Sequence, residues 1–152
     1  NQVVSIVDRL IPKGLIVYTE DRYGNRDEEK SDAVELEMPL AVLVNGNSAS
    51  ASEILAGAVK DHKKGTLVGT KTFGKGLVQV IVPLEDGSGL KVTISKYFTP
   101  SGVCIQGIGI QPDKVVELNE KYENLPVSHI PREDDTQLKT AVDIVKAGIV
   151  VN

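Results

Sequence analysis

A single cysteine, Cys104, stands among 152 residues, which excludes an intramolecular disulfide and any cysteine-rich metal site. No apolar run approaches the ~18 residues that a membrane-spanning helix needs. A basic surface is missing as well. Lys+Arg number 17 against Asp+Glu 21, and a net charge of −4 without a basic stripe argues against a nucleic-acid partner. No internal repeat or low-complexity segment is present. No methionine or leader precedes Asn1, so the chain is expected to be a piece of a longer protein, truncated at its N-terminus, and the residues themselves give no compartment. What is there is globular in composition, with 41% hydrophobic and 25% charged residues. That length is about one domain, enough to bury roughly 70% of the unfolded surface.

The order of elements predicts an α/β fold. NQVVSIVDRLIP places Val3, Val7, Leu10 and Ile11 at helical spacing and stops at Pro12. GLIVYTE (14–20) reads as a strand. The eight acids between Glu20 and Glu37 are better explained by a solvated hairpin with a YGN turn than by a cation site. PLAVLVN (39–45) is a continuous apolar run that suits a strand buried on both faces. A helix from Ser50 to about Lys63 follows, with Gly65 as its expected stop. TLVGT is a short strand, and LVQVIVPL (77–84) and LKVTISKYF (90–98) flank a hairpin turn, EDGSG. KVVEL (114–118) reads as a last strand, and a proline-bearing connection (119–133) leads to a closing helix near 134–147. Strand–helix–strand followed by a hairpin predicts a mixed sheet flanked by helices.

The segment NGNSASASEILAG (45–57) holds the candidate chemistry. Ser50, with Glu53 three residues on, fits the capping box S-x-x-E, which by itself favours a helix cap. A serine at a helix N-terminus after a buried strand is also well placed as an acyl-transfer nucleophile, because free N–H groups and the helix dipole can hold an oxyanion. Such a serine needs a base. His62 lies about 18 Å along the same helix and Asp61 about 16 Å, by helical rise. His129 reads as a solvated loop residue. A Ser-His-Asp triad is therefore poorly supported. Lys75, in KTFGKGLVQV, is the other option. It acts as a base only when neutral, and lowering its reference pKa of about 10.4 to near 7 takes roughly 4 kcal/mol. From His62 through Leu84 there are four lysines and no Asp or Glu, so the local sequence holds no partner that keeps Lys75 charged. Gln79 shares its strand face about 13 Å away, and contact between the two requires a bend at Gly74 or Gly76. As an isolated residue, Gln79 reads as an ordinary polar strand position.

Taken together, VNGNSASASEILAGAVKDH, LVGTKTFGKGLVQ, LEDGSGLKVTISKYFTPSG, GIGIQPD and DTQL resemble the C-terminal processing peptidases, or tail-specific proteases, in order and spacing. The resemblance implies a Clp-protease/crotonase-like core and a serine peptidase with a Ser/Lys dyad. It places the nucleophile on Ser50, the general base on Lys75 and its support on Gln79, with Ser48 and Ser52 as small neighbours and Glu53 as organiser of the helix start. Asp61 matches an acidic position read as structural. The backbone N–H of Ala51 is the local oxyanion donor. Polypeptide tails are the implied substrates, with no metal or organic cofactor, in a periplasmic, membrane-associated or secreted bacterial setting. Residues 1–118 would be a partial catalytic core and 119–152 a connecting segment with a C-terminal helix.

The family's N-P-G-G element, its PDZ module and its N-terminal region have no counterpart here. Because the N-P-G-G element supplies the second oxyanion donor, the chain alone is expected to be weakly active or inactive. An apolar surface left where the upstream part docks would favour a homo-oligomer. Two alternatives stand beside this reading. One is a non-catalytic scaffold of the same fold. The other is nucleotide binding at GTKTFGK (69–75), which matches G-x-x-x-x-G-K but continues with Gly76 and a strand-like segment where Ser/Thr and a helix belong.

Overall fold

The computed structural model describes residues 2–32, 34–122 and 125–149. Helix α1 (Gln2–Asp8) leads into a β1–β2 hairpin (Gly14–Asp21 and Arg26–Ser31), and then into strand β3 (Ala41–Val44), helix α2 (Ala51–Asp61) and strand β4 (Thr66–Gly69). A second hairpin, β5 (Leu77–Pro83) and β6 (Gly89–Phe98), precedes a two-residue strand β7 (Lys114–Val115) and helix α3 (Thr136–Gly148). The strands form two sheets. One is antiparallel, in the order β2-β1-β6-β5, and the other is parallel, in the order β3-β4-β7. Strand direction is thus mixed across the fold and uniform within each sheet. Val7, Ile11, Ile16, Val59, Leu67 and Ile105 form the centre of the core, all essentially inaccessible.

The acid-rich 20–37 stretch forms the expected hairpin, with Arg26 paired to Glu20 at 2.7 Å and Lys30 to Glu28 at 2.7 Å across its solvated surface. Three local expectations change. Gly65 does not end α2. His62 is the C-cap and Lys63 takes the left-handed position at φ 54, with Lys63 N–H bonded to the Lys60 carbonyl and Lys64 N–H to the Val59 carbonyl. These two bonds define a Schellman motif closed by lysine instead of glycine. Gly65 serves packing, since a Cβ there would sit 2.7 Å from the Leu40 carbonyl oxygen.

The 39–45 run is not buried on both faces. β3 is an edge strand, and Leu43 stays 41% exposed. Finally, β7 stops far short of 118. The carbonyls of Val116 and Glu117 accept instead from Gln137 Nε2 and Thr136 Oγ1, at 2.8 Å each, so the first turn of α3 takes over what a longer ladder would use. Asp135 caps that helix by accepting from Leu138 N–H at 2.8 Å.

Candidate active site

The turn between β3 and α2 is built from its own polar side chains. Ser48 Oγ accepts from Asn45 N–H at 3.1 Å, and Asn45 Oδ1 accepts from Asn47 N–H at 2.9 Å. Ser48 is therefore a turn former, and Ser52 stands exposed on the first turn of the helix. Between them, Ser50 adopts φ 56 and ψ −112. Lys63 is the other non-glycine residue with positive φ among those described, and its cap explains it. Ser50 has no such explanation. Its ψ lies far from the left-handed helical well, and conformations of this kind cost on the order of 1–3 kcal/mol unless the surroundings impose them. The geometry is a sharp strand–turn–helix elbow that lifts one side chain out of the regular backbone.

Ser50 is not an ordinary cap. The Glu53 carboxylate accepts from Ser50 N–H at 3.0 Å, and the arrangement of the two residues is that of a capping box. The Ser50 hydroxyl faces Glu53 N–H, but that N–H is bonded to the Ser50 carbonyl at 2.9 Å and the hydroxyl makes no capping hydrogen bond. Among the described residues, Ala51 N–H has no hydrogen-bond partner, and Ala51 is exposed. An unpaired N–H next to the serine, on the first turn of an 11-residue helix, is the donor an oxyanion would use.

Lys75 reaches this elbow through its backbone. Phe73 N–H donates to the Ser48 carbonyl at 3.0 Å, and Gly74 and Lys75 N–H donate to Glu53 at 2.7 and 2.8 Å. The convergence of these successive N–H groups requires the positive φ of Gly74, +90. A Cβ on Gly74 would also sit 3.0 Å from Gly109 N, so glycine is needed twice over. The Lys75 side chain itself is exposed and makes no hydrogen bond or ion pair with a described residue. Gln79 makes no hydrogen bond to it. Its Nε2 donates to Thr93 Oγ1 at 3.0 Å, and an extra residue in β6, Ile94, shifts the ladder at this point.

Asp61 and His62 hold the far end of α2. Asp61 Oδ2 accepts from Ser101 N–H at 2.8 Å, and His62 Nε2 lies 2.7 Å from the Leu15 carbonyl oxygen. Lys60 bridges to Asp113 at 2.8 Å. Burial pushes the Asp113 carboxyl up, but Lys60 and the Leu67 N–H outweigh it and hold it below the ordinary carboxylate range. His129 is exposed in a 3₁₀ turn.

No helix follows Lys75. Strand β5 does, so residues 69–75 are not a phosphate-cradling loop. Among the described residues, no three His, Cys, Asp or Glu side chains converge as metal ligands.

Sequence reasoning missed the wall of the neighbouring cleft. A cavity of about 410 Å³ lies between Leu43, Ser48 and Ser52 on one side and Leu125, Val127 and Ile130 on the other. The segment read as a mere connection thus faces the elbow, although the lining includes neither Ser50 nor Lys75. The apolar residues of the 125–130 stretch were the available signal.

The comparisons with known proteins agree with this architecture. The model of peptidase family S41 matches residues 1–116. A carboxy-terminal-processing protease of Bartonella bacilliformis is 49% identical over 133 residues, covering 84% of this chain and 31% of the relative. A carboxyl-terminal-processing protease of Synechocystis is 41% identical over 149 residues, covering 97% of this chain and 34% of its own length. Among solved structures, the photosystem II D1 C-terminal processing protease superposes with a TM-score of 0.71 at 46% identity, over 76% of this chain and 30% of that one. The chain therefore belongs to peptidase family S41. It spans about a third of the length of these relatives.

Proposed function

We propose that this chain carries the catalytic core of a serine endopeptidase that cuts polypeptides near their C-terminal tails. Ser50 is the nucleophile, Lys75 the general base, Gln79 the residue that steadies Lys75, and Ala51 N–H an oxyanion donor. The observation that carries the reading is the strained elbow at Ser50. A cap needs no such conformation, whereas a nucleophile gains exposure from it.

The backbone geometry supports Lys75 as the base. Ser50 N–H and Lys75 N–H share one oxygen of Glu53, so the two nitrogens are no more than about 6 Å apart. The four-carbon stem of an unengaged lysine covers that distance. In the reaction, neutral Lys75 Nζ removes the Ser50 Oγ proton as Oγ attacks the peptide carbonyl. The carbonyl oxygen takes up the charge facing Ala51 N–H. The lysine then protonates the departing amine, and in the second half it draws a proton from the water that releases the acyl group. Gln79 Nε2 donates to Thr93 Oγ1, which leaves its Oε1 as the acceptor through which it would hold Lys75 Nζ.

The upstream part of the same protein would complete the oxyanion hole, and an extracytoplasmic bacterial compartment is the proposed setting. One donor alone leaves a deficit of about 10²–10³ in rate, so this chain by itself is weakly active or inactive. A non-catalytic scaffold is the rival, favoured by the exposed Lys75 and the Gln79–Thr93 bond. Acylation by a fluorophosphonate separates the two readings in the full-length protein. Labelling is expected on Ser50, lost in Ser50→Ala and slowed at least about 10³-fold in Lys75→Ala. Labelling absent from the native protein, or indifferent to Lys75, refutes the dyad.

A further inference from the structure

Glu53 is wholly buried, and all its hydrogen-bond partners are donors. Oε2 accepts from Ser50 N–H at 3.0 Å and Lys75 N–H at 2.8 Å, while Oε1 accepts from Thr72 Oγ1 at 2.5 Å and Gly74 N–H at 2.7 Å. A carboxylate offers about four lone-pair sites, and here all are used. A helix start requires only the first of these bonds. The other three fasten a loop 19 to 22 residues further along the chain.

That loop is braced from behind. Ile110 N–H donates to Thr72 Oγ1 at 2.7 Å, Thr72 N–H donates to the Ile110 carbonyl at 3.1 Å, and Gly107 N–H donates to the Gly74 carbonyl at 2.9 Å. Among the described residues, Glu53 is therefore the single side chain that hydrogen-bonds both the strained serine backbone and the backbone of the lysine. The chain order places these on opposite sides of β4.

We infer that Glu53 is a positioning residue for the Ser50–Lys75 pair, fixing the distance between nucleophile and base as well as the strained elbow. This rests on the dyad reading of the site, and the test is chosen to tell the two apart. Glu53→Gln keeps the shape but turns one oxygen into an NH₂ group that faces two N–H or O–H donors. In the full-length protein, the rate of Ser50 acylation by a fluorophosphonate is measured for Glu53→Gln in the native and in the Lys75→Ala backgrounds, with circular dichroism confirming the fold.

Groups that act as a unit are non-additive, so the loss is expected to be about 30-fold or more with Lys75 present and under about 3-fold without it. Glu53→Asp keeps charge and acceptors with the carboxylate drawn back by one methylene. It should lose less, with the same dependence on background, and it decides the matter if the glutamine variant does not fold. An equal loss in both backgrounds overturns the inference, because Glu53 would then support the serine helix alone. A native rate in Glu53→Gln overturns it as well. If Lys75→Ala itself acylates at the native rate, the dyad falls, and this inference with it.

Discussion

The two halves of the candidate site are built to opposite standards. The elbow half, from β3 through α2 and the 72–75 loop, is tied together by hydrogen bonds to the buried Glu53, and Ile54, Ala56, Ala58 and Val59 anchor it in the core. The hairpin half, which carries Gln79, is an edge with little behind it. Ile81 is 74% exposed and Leu90 55%, and β5 has β6 as its sole strand partner among the described residues. The serine and the backbone of the lysine are therefore held by the packed half, while the lysine side chain is unengaged and the glutamine is held by its bond to Thr93. A strained nucleophile requires the first property. Under the proposed Ser50–Lys75 dyad, the second would let the base act only once its side chain is engaged.

The largest effect should come from the packed half. Leu67 is wholly buried in β4, between the β3 elbow strand and β7. Leu67→Ala is expected to destabilise the chain by about 2–5 kcal/mol in urea unfolding, through lost transfer energy and a cavity. A cost below about 1 kcal/mol would mean that the elbow rests on a looser foundation than the contrast requires.

A smaller effect of opposite sign should appear at the elbow itself. At an ordinary N-cap, Ser→Gly costs a few tenths of a kcal/mol. At φ 56 and ψ −112, glycine removes the Cβ clash, so Ser50→Gly is expected to raise stability by about 1 kcal/mol, or roughly 2–4 °C in Tm. The same substitution removes the hydroxyl proposed as the nucleophile. A gain in stability with loss of acylation is the signature of strain kept for function, and a drop in Tm would return Ser50 to the status of a plain cap.

Much of this contrast was legible in the residues, because it depends on local pattern. The apolar run 39–45, the S-x-x-E start at Ser50 and the EDGSG turn each specify an element through neighbours a few positions away. What was not legible depends on partners distant in sequence. Glu53 reads as a cap because its other three donors lie 19 to 22 residues downstream. KVVEL reads as a full strand because nothing local reveals that Thr136 and Gln137 will occupy its carbonyls. Lys63 ends α2 although glycine stands two residues later, since Gly65 is needed where Leu40 crowds the backbone. The 119–133 connection reads as a linker because its prolines are visible and its place beside the elbow is not.

The smallest effect tests the hairpin half. Ile81 exposes most of its surface, so shortening it removes little burial. Ile81→Thr keeps a β-branched side chain suited to a strand and should change the stability of this chain by no more than about 0.5 kcal/mol. The same substitution lowers the apolar area that two copies could bury against each other. Sedimentation of this chain across a range of concentrations should therefore show less association in the variant than in the native sequence. The contrast sharpens when the measurement is repeated in the full-length protein. If Ile81→Thr then costs about 1 kcal/mol or more, another part of the full-length protein covers the hairpin, and that contact bears on how Gln79 is placed. If it stays neutral there too, the hairpin is open in the complete protein, and substrate is left as the agent that must order it.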